Sequence, residues 1–398
     1  MASVLYMSYT GLSEPLGESQ VFQYLMHLAH GHRITLITFE KPENIGKPGV
    51  RQRLKDRCTD AGIDWVPLTY HRRPGIPATV YDILQGTFTG WRKVRAARAE
   101  IIHARSYIAG TMALLIKRLT GVRFVFDMRG FWPDERVDGG IWTRNSLVYR
   151  LFKRVERRLF LGADHVVSLT KAGAKAFADF PYLKSRVPPT TVIPTCTNLG
   201  NFKPQPGTAG HPFTFGYLGS AGTWYMFPEV VRAVKILFDL VPDSRFIVVN
   251  RNEHDYVRAC LERGGIDLAR VEIAAASYQE VPGYLARMSA GIFFIKPMFS
   301  KLASCPTRMG EFLGSGLPCL ANAGVGDVEG DLAETGTGIA ISAFDDETLR
   351  DAIMRLIAIT KEPGIAAKCR RAAEERFSLE SGVKRYDAIY RSLADGAH

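Results

Sequence analysis

The stretch Lys301–Leu320, KLASCPTRMGEFLGSGLPCL, decides how the chain is read. Ser300 to Cys305 reads as a polar, irregular loop, and Pro306 with Thr307 reads as the start of a helix. Proline is preformed for that position, and its missing N–H is not needed there. Glu311 follows Thr307 by about one turn, so its carboxylate lies on the face of the helix start. Gly314 and Gly316 are expected to end the helix before an apolar strand, Leu317 to Ala321. Free N–H groups and the positive end of a helix suit a phosphate, and a carboxylate one turn along suits the two donating hydroxyls of a ribose. The layout is that of a grip for a nucleotide diphosphate. An ordinary helix–strand turn with a solvated Glu311 fits the same residues.

Working outward, 398 residues with 46% hydrophobic content exceed one ordinary core and point to two domains. Apolar runs such as Gly291 to Ile295 and Met112 to Ile116 fall far short of the ~18 residues a spanning helix needs. Met1 leads straight into a strand, so no signal peptide is expected. The six cysteines form no CxxC and no regular spacing. They read as reduced thiols of a cytoplasmic protein, without structural zinc.

Residues 1–196 hold 29 Lys and Arg against 16 Asp and Glu, net +13, whereas 197–398 hold 22 against 24, net −2. A basic front half implies an anionic partner: a phosphorylated acceptor or an anionic membrane surface. Nucleic acid is not expected, because no nucleic-acid-binding motif accompanies the charge.

The front half alternates strand and helix. Ser3 to Ser8 is a strand, followed by a loop to Gly17 and a helix from near Glu18. The loop, TGLSEPLGES, lacks GxGxxG, although Gly17 and Glu18 at the helix entrance are placed to meet a ligand. Strands are expected at Ile34–Phe39, Asp64–Leu68, Ile101–Ala104, Arg123–Phe126, His165–Leu169 and Thr191–Pro194, with helices between them, the longest over Ile76–Ala99. Repeated βα units make a parallel sheet with helices on both faces, and ligands bind beyond the carboxyl ends of its strands. His103 and Arg105 stand at one such end. Asp127 to Gly140, DMRGFWPDERVDGG, reads as a long charged loop at another. There Arg129 is placed to reach phosphate or sugar oxygens, and Asp134 and Glu135 acceptor hydroxyls; a salt-bridge cluster of Asp127, Arg129 and Asp134 is the alternative. Arg144 to Arg158 reads as an amphipathic helix with a basic outer side, suited to anionic lipid and reinforced by Arg92, Lys93, Arg95 and Arg98.

Residues 196–212, CTNLGNFKPQPGTAGHP, break the pattern and read as an interdomain linker. A second βα series then runs through strands Phe213–Leu218, Phe246–Val249, Val271–Ala274 and Ile292–Ile295 into the opening stretch, and three helices, around 346–359, 364–375 and 380–394, end the chain. Asn250 and Arg251 follow the second of these strands.

PTRMGEFLGSGLPCLANAGVGDVEGDL, with FGYLGSAGTWY, ADHVVSLT, VIPTCTNLGNF and GLSEPLGES, resembles glycosyltransferase family 4, the retaining GT-B enzymes of bacterial surface-polysaccharide assembly. The resemblance spans essentially the whole chain. It implies an α/β fold of two facing Rossmann-like domains with parallel sheets and an interdomain cleft: residues 1–195 on the acceptor side, 213–379 binding the nucleotide-sugar, and a helix over 380–398 crossing back to the first domain. It implies a hexosyl- or hexosaminyl-type transferase with a nucleotide-diphosphate sugar as donor, a saccharide or lipid-linked acceptor, no required cofactor or metal, and a place on the cytoplasmic face of the membrane. Glu311 matches the second glutamate of the family's E-x7-E element, which holds the ribose. The first would fall at Ala303, leaving donor-sugar hydroxyls to Ser304 or to N–H groups of 302–305. The loop Gly219 to Tyr225 has Ser220 where many members carry a phosphate-binding cation. Arg129 stands where a histidine often follows the fifth strand; it, Arg251, Lys301 or Arg308 would supply the charge. In retaining GT-B enzymes the leaving phosphate is commonly held to take the acceptor's proton, so no separate base is expected. A nucleotide-sugar 2-epimerase and a catalytically silent nucleotide-sugar-binding subunit are the alternatives.

Overall fold

The structure, a computed structural model, describes residues 1–205 and 212–396. Residues 206–211, part of the expected linker, and 397–398, at the end of the expected last helix, lie outside the described residues. The chain divides into two compact units: residues 1–194 with the segment from Leu379 onward, and Thr195–Ser378.

The first unit is built on seven strands: β1 (Ser3–Ser8), β2 (Arg33–Glu40), β3 (Ile63–Thr69), β4 (Ile101–Arg105), β5 (Arg123–Asp127), β6 (His165–Ser168) and β7 (Thr190–Val192). They lie in the order β3-β2-β1-β4-β5-β6-β7, every pair parallel. Val4, Leu5, Tyr6 and Met7 are all buried, as expected of a strand covered on both faces. The direction of strand addition reverses beside β1, which puts a topological switch point between β1 and β4. The last helix, Leu379–Asp395, belongs to this unit and buries Tyr386, Ile389 and Tyr390 in it.

The second unit repeats the plan with six strands: β8 (Thr214–Leu218), β9 (Arg245–Val249), β10 (Val271–Ala274), β11 (Ala290–Ile292), β12 (Cys319–Asn322) and β13 (Gly338–Ile341). Their order is β10-β9-β8-β11-β12-β13, again parallel throughout, with the switch between β8 and β11. Phe215, Tyr217, Val234, Phe246, Phe312 and Leu320 are among the residues of its core.

Several expectations are corrected. The strand read at Ile292–Ile295 is Ala290–Ile292. Beyond it, the Asn322 side chain takes over both backbone groups of Ile295, accepting its N–H at 2.8 Å and donating to its carbonyl at 2.9 Å. The loop Asp127–Gly140 contains a helix, Trp132–Asp138, with Pro133 in its first turn. The loop Ser300–Cys305 is largely a 3₁₀ helix, Phe299–Ala303, that buries Ser300, Lys301 and Ala303. The helix expected from Glu18 begins as a π-type turn, Glu18–Phe22, before the α-helix Gln23–Leu28. Strand β13 and the helix Val328–Thr335 lack the long apolar periodicity that would announce them.

Candidate functional site

Helix Thr307–Gly314 starts one residue later than its sequence reads: Pro306 is its extended cap and Thr307 its first residue. It ends as expected, with Gly316 in the left-handed region (φ 82°), a conformation that a side chain disfavours. The orphan N–H groups of its first turn and its positive end lie at the carboxyl side of the sheet.

Arg308, on the first turn, is buried. Its guanidinium lies 4.2 Å from the ring of Tyr225 and 4.8 Å from that of Tyr217, and its Nη2 donates to the carbonyl oxygen of Ser220 at 3.3 Å. A Cβ on Gly219 would come within 2.9 Å of that nitrogen. The Gly219–Tyr225 loop, which has no cation of its own, thus receives one from a helix 88 residues further along. Arg308 Nη1 is buried with no hydrogen-bond partner among the described residues. One turn on, the Glu311 carboxylate makes no hydrogen bond or ion pair among the described residues, and burial pushes its pKa up to about 7 against the pull of Arg308. Glu311 is thus partly buried rather than fully solvated.

Asn250, expected to face the nucleotide-sugar, is turned inward instead. Its amide donates to the Gly219 carbonyl at 2.9 Å and to Glu253 at 3.0 Å, and its oxygen accepts the Glu253 N–H at 2.6 Å. Glu253 accepts the N–H groups of Ala221 at 2.9 Å and Gly222 at 3.0 Å. Burial opposes its charge, but these bonds prevail and hold its carboxyl below the usual range. The sequence reading missed Glu253, whose only signal is an acidic residue shortly after a strand. Arg251 is exposed. The Lys301 ammonium lies 4.1 Å from the Trp224 ring, and Ala303 is fully buried beside the partly accessible Ser304.

In the first unit, His103, Arg105, Asp127 and Arg129 form one buried cluster at the ends of β4 and β5. His103 Nε2 is 3.7 Å and Arg129 Nη1 3.8 Å from Asp127 Oδ2, which also accepts the Tyr386 hydroxyl at 3.1 Å. Burial opposes ionisation of Asp127, but Arg129, His103 and Arg105 outweigh it and lower its pKa. Burial lowers the pKa of His103. Each of the four residues keeps one buried side-chain atom without a hydrogen-bond partner among the described residues: His103 Nε2, Arg105 Nε, Asp127 Oδ1 and Arg129 Nε. Four such atoms in one place are unusual for a filled core and make the cluster a candidate site. The backbone agrees: Ser106 (φ 72°), Arg129 (φ 60°) and, in the second unit, Thr223 (φ 56°) take left-handed conformations just beyond strand ends.

Other expected contacts are closed. Asp134 is buried and takes the Tyr149 hydroxyl at 2.8 Å and the Lys153 ammonium at 3.0 Å, so its carboxylate is already engaged and makes no bond within an Asp127–Arg129 surface cluster. Glu135 stands on the same helix, Trp132–Asp138. Glu18 is held by a two-pronged bond from Arg57, at 2.6 and 2.8 Å. At Gly17 the approaching group is the chain itself: a Cβ there would meet the Gly11 carbonyl oxygen at 1.9 Å. His103 donates to or accepts from the Tyr390 hydroxyl through Nδ1 at 2.6 Å and has the surroundings of a satisfied core histidine on that side. A further buried carboxylate was not anticipated: Asp82 binds the Tyr9 hydroxyl at 2.7 Å and the half-exposed His71 ring at 2.6 Å. Among the described residues no group of three or more His, Cys, Asp or Glu is arranged to hold a metal ion, and no helix is long and apolar enough to cross a membrane.

Residues 23–195 match the family model of the glycosyl transferase 4-like domain. A search of curated protein sequences found no match. Among solved structures, sucrose-phosphate synthase from Thermosynechococcus elongatus is similar over all of both chains, with a TM-score of 0.76 at 16% identity. HepE from Anabaena, solved in complex with UDP-glucose, is similar over 98% of this chain and all of its own, with a TM-score of 0.70 at 14% identity. A putative UDP-N-acetylglucosamine 2-epimerase from Listeria monocytogenes is similar over all of this chain and 97% of its own, with a TM-score of 0.63 at 13% identity. The chain therefore has the α/β fold of the GT-B glycosyltransferases, two Rossmann-like units with parallel sheets of seven and six strands.

Proposed function

We propose that the chain is a retaining glycosyltransferase that moves a hexosyl or hexosaminyl group from a nucleotide-diphosphate sugar to a saccharide or lipid-linked acceptor in cell-surface glycoconjugate synthesis, on the cytoplasmic side of the membrane. One observation carries the reading. Helix Thr307–Gly314 offers, one turn apart, a buried guanidinium nitrogen and a partly buried carboxylate, neither with a hydrogen-bond partner among the described residues. A nucleoside diphosphate satisfies both, with phosphate on Arg308 and the helix start and ribose hydroxyls on Glu311. Arg308 then stabilises the charge that develops on the leaving diphosphate. The domain match in the first unit and the sugar nucleotide bound by HepE support this assignment. We assign the nucleotide-sugar to the second unit, with Ser304, Lys301, Gly219 and Ser220 around it. The acceptor belongs to the first, where Arg129 and Asp127 act and His103 positions them.

A thermal-shift screen against UDP, GDP, ADP and CMP, with Glu311→Ala alongside, tests the grip. A ligand at ~100 times its Kd adds about 2.7 kcal/mol to stability. Stabilisation of the wild type by one nucleotide, absent in the mutant, supports the assignment; no stabilisation by any of the four opposes it. Transfer of radiolabelled sugar into an acceptor fraction then identifies the transferase. Interconversion of the nucleotide-sugar without acceptor would identify the epimerase instead, and binding without either reaction the silent subunit.

A further inference from the structure

Helix Gly75–Ala97 turns its small residues inward and its large ones outward. The buried stripe is Ala78, Asp82, Gly86, Gly90 and Val94, at every fourth position. A Cβ on Gly86 would stand 2.5 Å from Met112 Sδ, and one on Gly90 2.6 Å from Ile116 Cδ1. The helix therefore lies closer to its neighbour, Ser106–Thr120, than larger side chains allow. The outward stripe is Ile76, Val80, Leu84 and Phe88, also at every fourth position and between 48% and 64% exposed. Water is a poor solvent for such a row, and an ordinary surface helix carries charges there.

The exposed charge at either end of the stripe is positive. Arg72 and Arg73 precede it, and Arg92, Arg95 and Arg98 close it, all exposed. The guanidinium of Arg92 lies 5.9 Å from the Phe88 ring and that of Arg95 5.3 Å from the Trp91 ring, so cations border the apolar row. The helix's own acid, Asp82, is buried and taken by Tyr9 and His71. The pattern recurs on helix Leu147–Gly162. There Leu147 and Leu151 are 80% and 55% exposed, and Arg150, Arg154, Arg157 and Arg158 are exposed with them. Helix Ser106–Thr120 packs against both, through Met112 and Ile116 on one side and Leu114 near Gly162 on the other. The connections β3 to β4, β4 to β5 and β5 to β6 advance the same way across the sheet, so right-handed crossovers put all three helices on one face.

We infer that this helical face of the first unit docks on an anionic lipid bilayer, with Ile76, Val80, Leu84 and Phe88 entering the headgroup boundary and the arginines meeting lipid phosphates. Apolar side chains rimmed by arginine suit that boundary. A second copy of the chain suits it less, because a self-complementary contact would set arginines against arginines. The inference stands apart from the transfer reaction, since docking is measured with neither donor nor acceptor present.

The test is co-flotation of the full chain with vesicles of phosphatidylcholine alone and of phosphatidylcholine with phosphatidylglycerol. Binding to the anionic vesicles is expected, weakening as salt rises. A Leu84→Ser/Phe88→Ser variant should lose at least about tenfold in binding. These side chains are exposed, so the circular dichroism spectrum and thermal midpoint should hold. An Arg92→Glu/Arg95→Glu variant, which leaves the apolar row intact, should lose a similar factor. No binding to either vesicle, or binding that neither variant changes, overturns the proposal. So does a concentration-dependent dimer that Leu84→Ser/Phe88→Ser dissolves while vesicles go unbound, which would make the face a contact between copies.

Discussion

Arg308 donates to the carbonyl oxygen of Ser220 at 3.3 Å, from the first turn of one helix to the loop after the first strand of the second unit. That bond, and the two tyrosine rings at 4.2 and 4.8 Å, fix the guanidinium plane and leave Nη1 without a hydrogen-bond partner among the described residues. A cation held this way is positioned before a ligand arrives, so little ordering cost remains to be met on binding.

Arg308→Gln should therefore weaken binding of the recognised nucleoside diphosphate by about 1.5–3 kcal/mol, the range for a hydrogen bond to a charged group. Arg308→Lys should not restore it, because an ammonium cannot reach the Ser220 carbonyl and a phosphate with one planar fork. Isothermal titration of the three proteins checks this, and equal affinities would remove Arg308 from the site.

Glu311 makes both stability and binding depend on pH. Its pKa is raised from 4.5 to about 7 in the folded protein by burial. A group with a raised folded pKa adds stability that is full below about pH 4.5 and gone once the pH has risen through about 7. Glu311→Gln should then be more stable than wild type by about 1–3 kcal/mol at alkaline pH and equal to it in acid. Ribose hydroxyls donate best to the ionised carboxylate, so wild-type affinity should rise as the pH passes through about 7. Urea unfolding and titration calorimetry across that range report the two trends.

The parts of this site that follow local rules were legible in the sequence. A proline before a short apolar helix, a glutamate one turn along and a glycine at its end locate that helix to within one residue, because each signal acts over a single turn. The alternation of strands was legible for the same reason: Val4 to Met7 reads as a buried strand without knowledge of its neighbours. What could not be read depends on the chain meeting itself. Nothing near Ser220 announces Arg308, and nothing near Asn250 shows that its amide is spent on Gly219. The row Ile76, Val80, Leu84 and Phe88 is apolar at helical spacing, yet it points outward. Gly86 and Gly90 permit a closer approach on the other side, and only packing against Met112 and Ile116 shows it.

Glu253 should behave as the brace of the Gly219–Thr223 loop. A glutamine offers one acceptor oxygen where the carboxylate serves Ala221 and Gly222 with separate oxygens. Glu253→Gln should cost about 1–2 kcal/mol at neutral pH. Because the wild-type carboxyl is held below its ordinary value, its contribution is present above pH 4.5 and disappears as the pH falls through the lowered pKa. The gap between wild type and Glu253→Gln should close on acidification, as followed by urea unfolding at a series of pH values.

The helix Leu379–Asp395 is part of the first unit's core, and its removal should show there first. Tyr390 and Tyr386 approach β4 and β5 from this helix, the first at 2.6 Å from His103 Nδ1 and the second at 3.1 Å from Asp127 Oδ2. Among the described residues His103 Nε2 has no hydrogen-bond partner, so Tyr390→Phe leaves a fully buried imidazole with neither nitrogen bonded to them. Such a loss costs about 1–3 kcal/mol. Tyr386→Phe should cost less, because Asp127 retains the nearby charge of Arg129. The pair of variants separates a general packing effect, which would weigh on both alike, from the hydrogen bond to His103, which weighs on Tyr390→Phe alone. Hydrogen exchange at the amides of β4 is the direct readout: Tyr390→Phe should speed it more than Tyr386→Phe, and equal rates would assign the helix a packing role only.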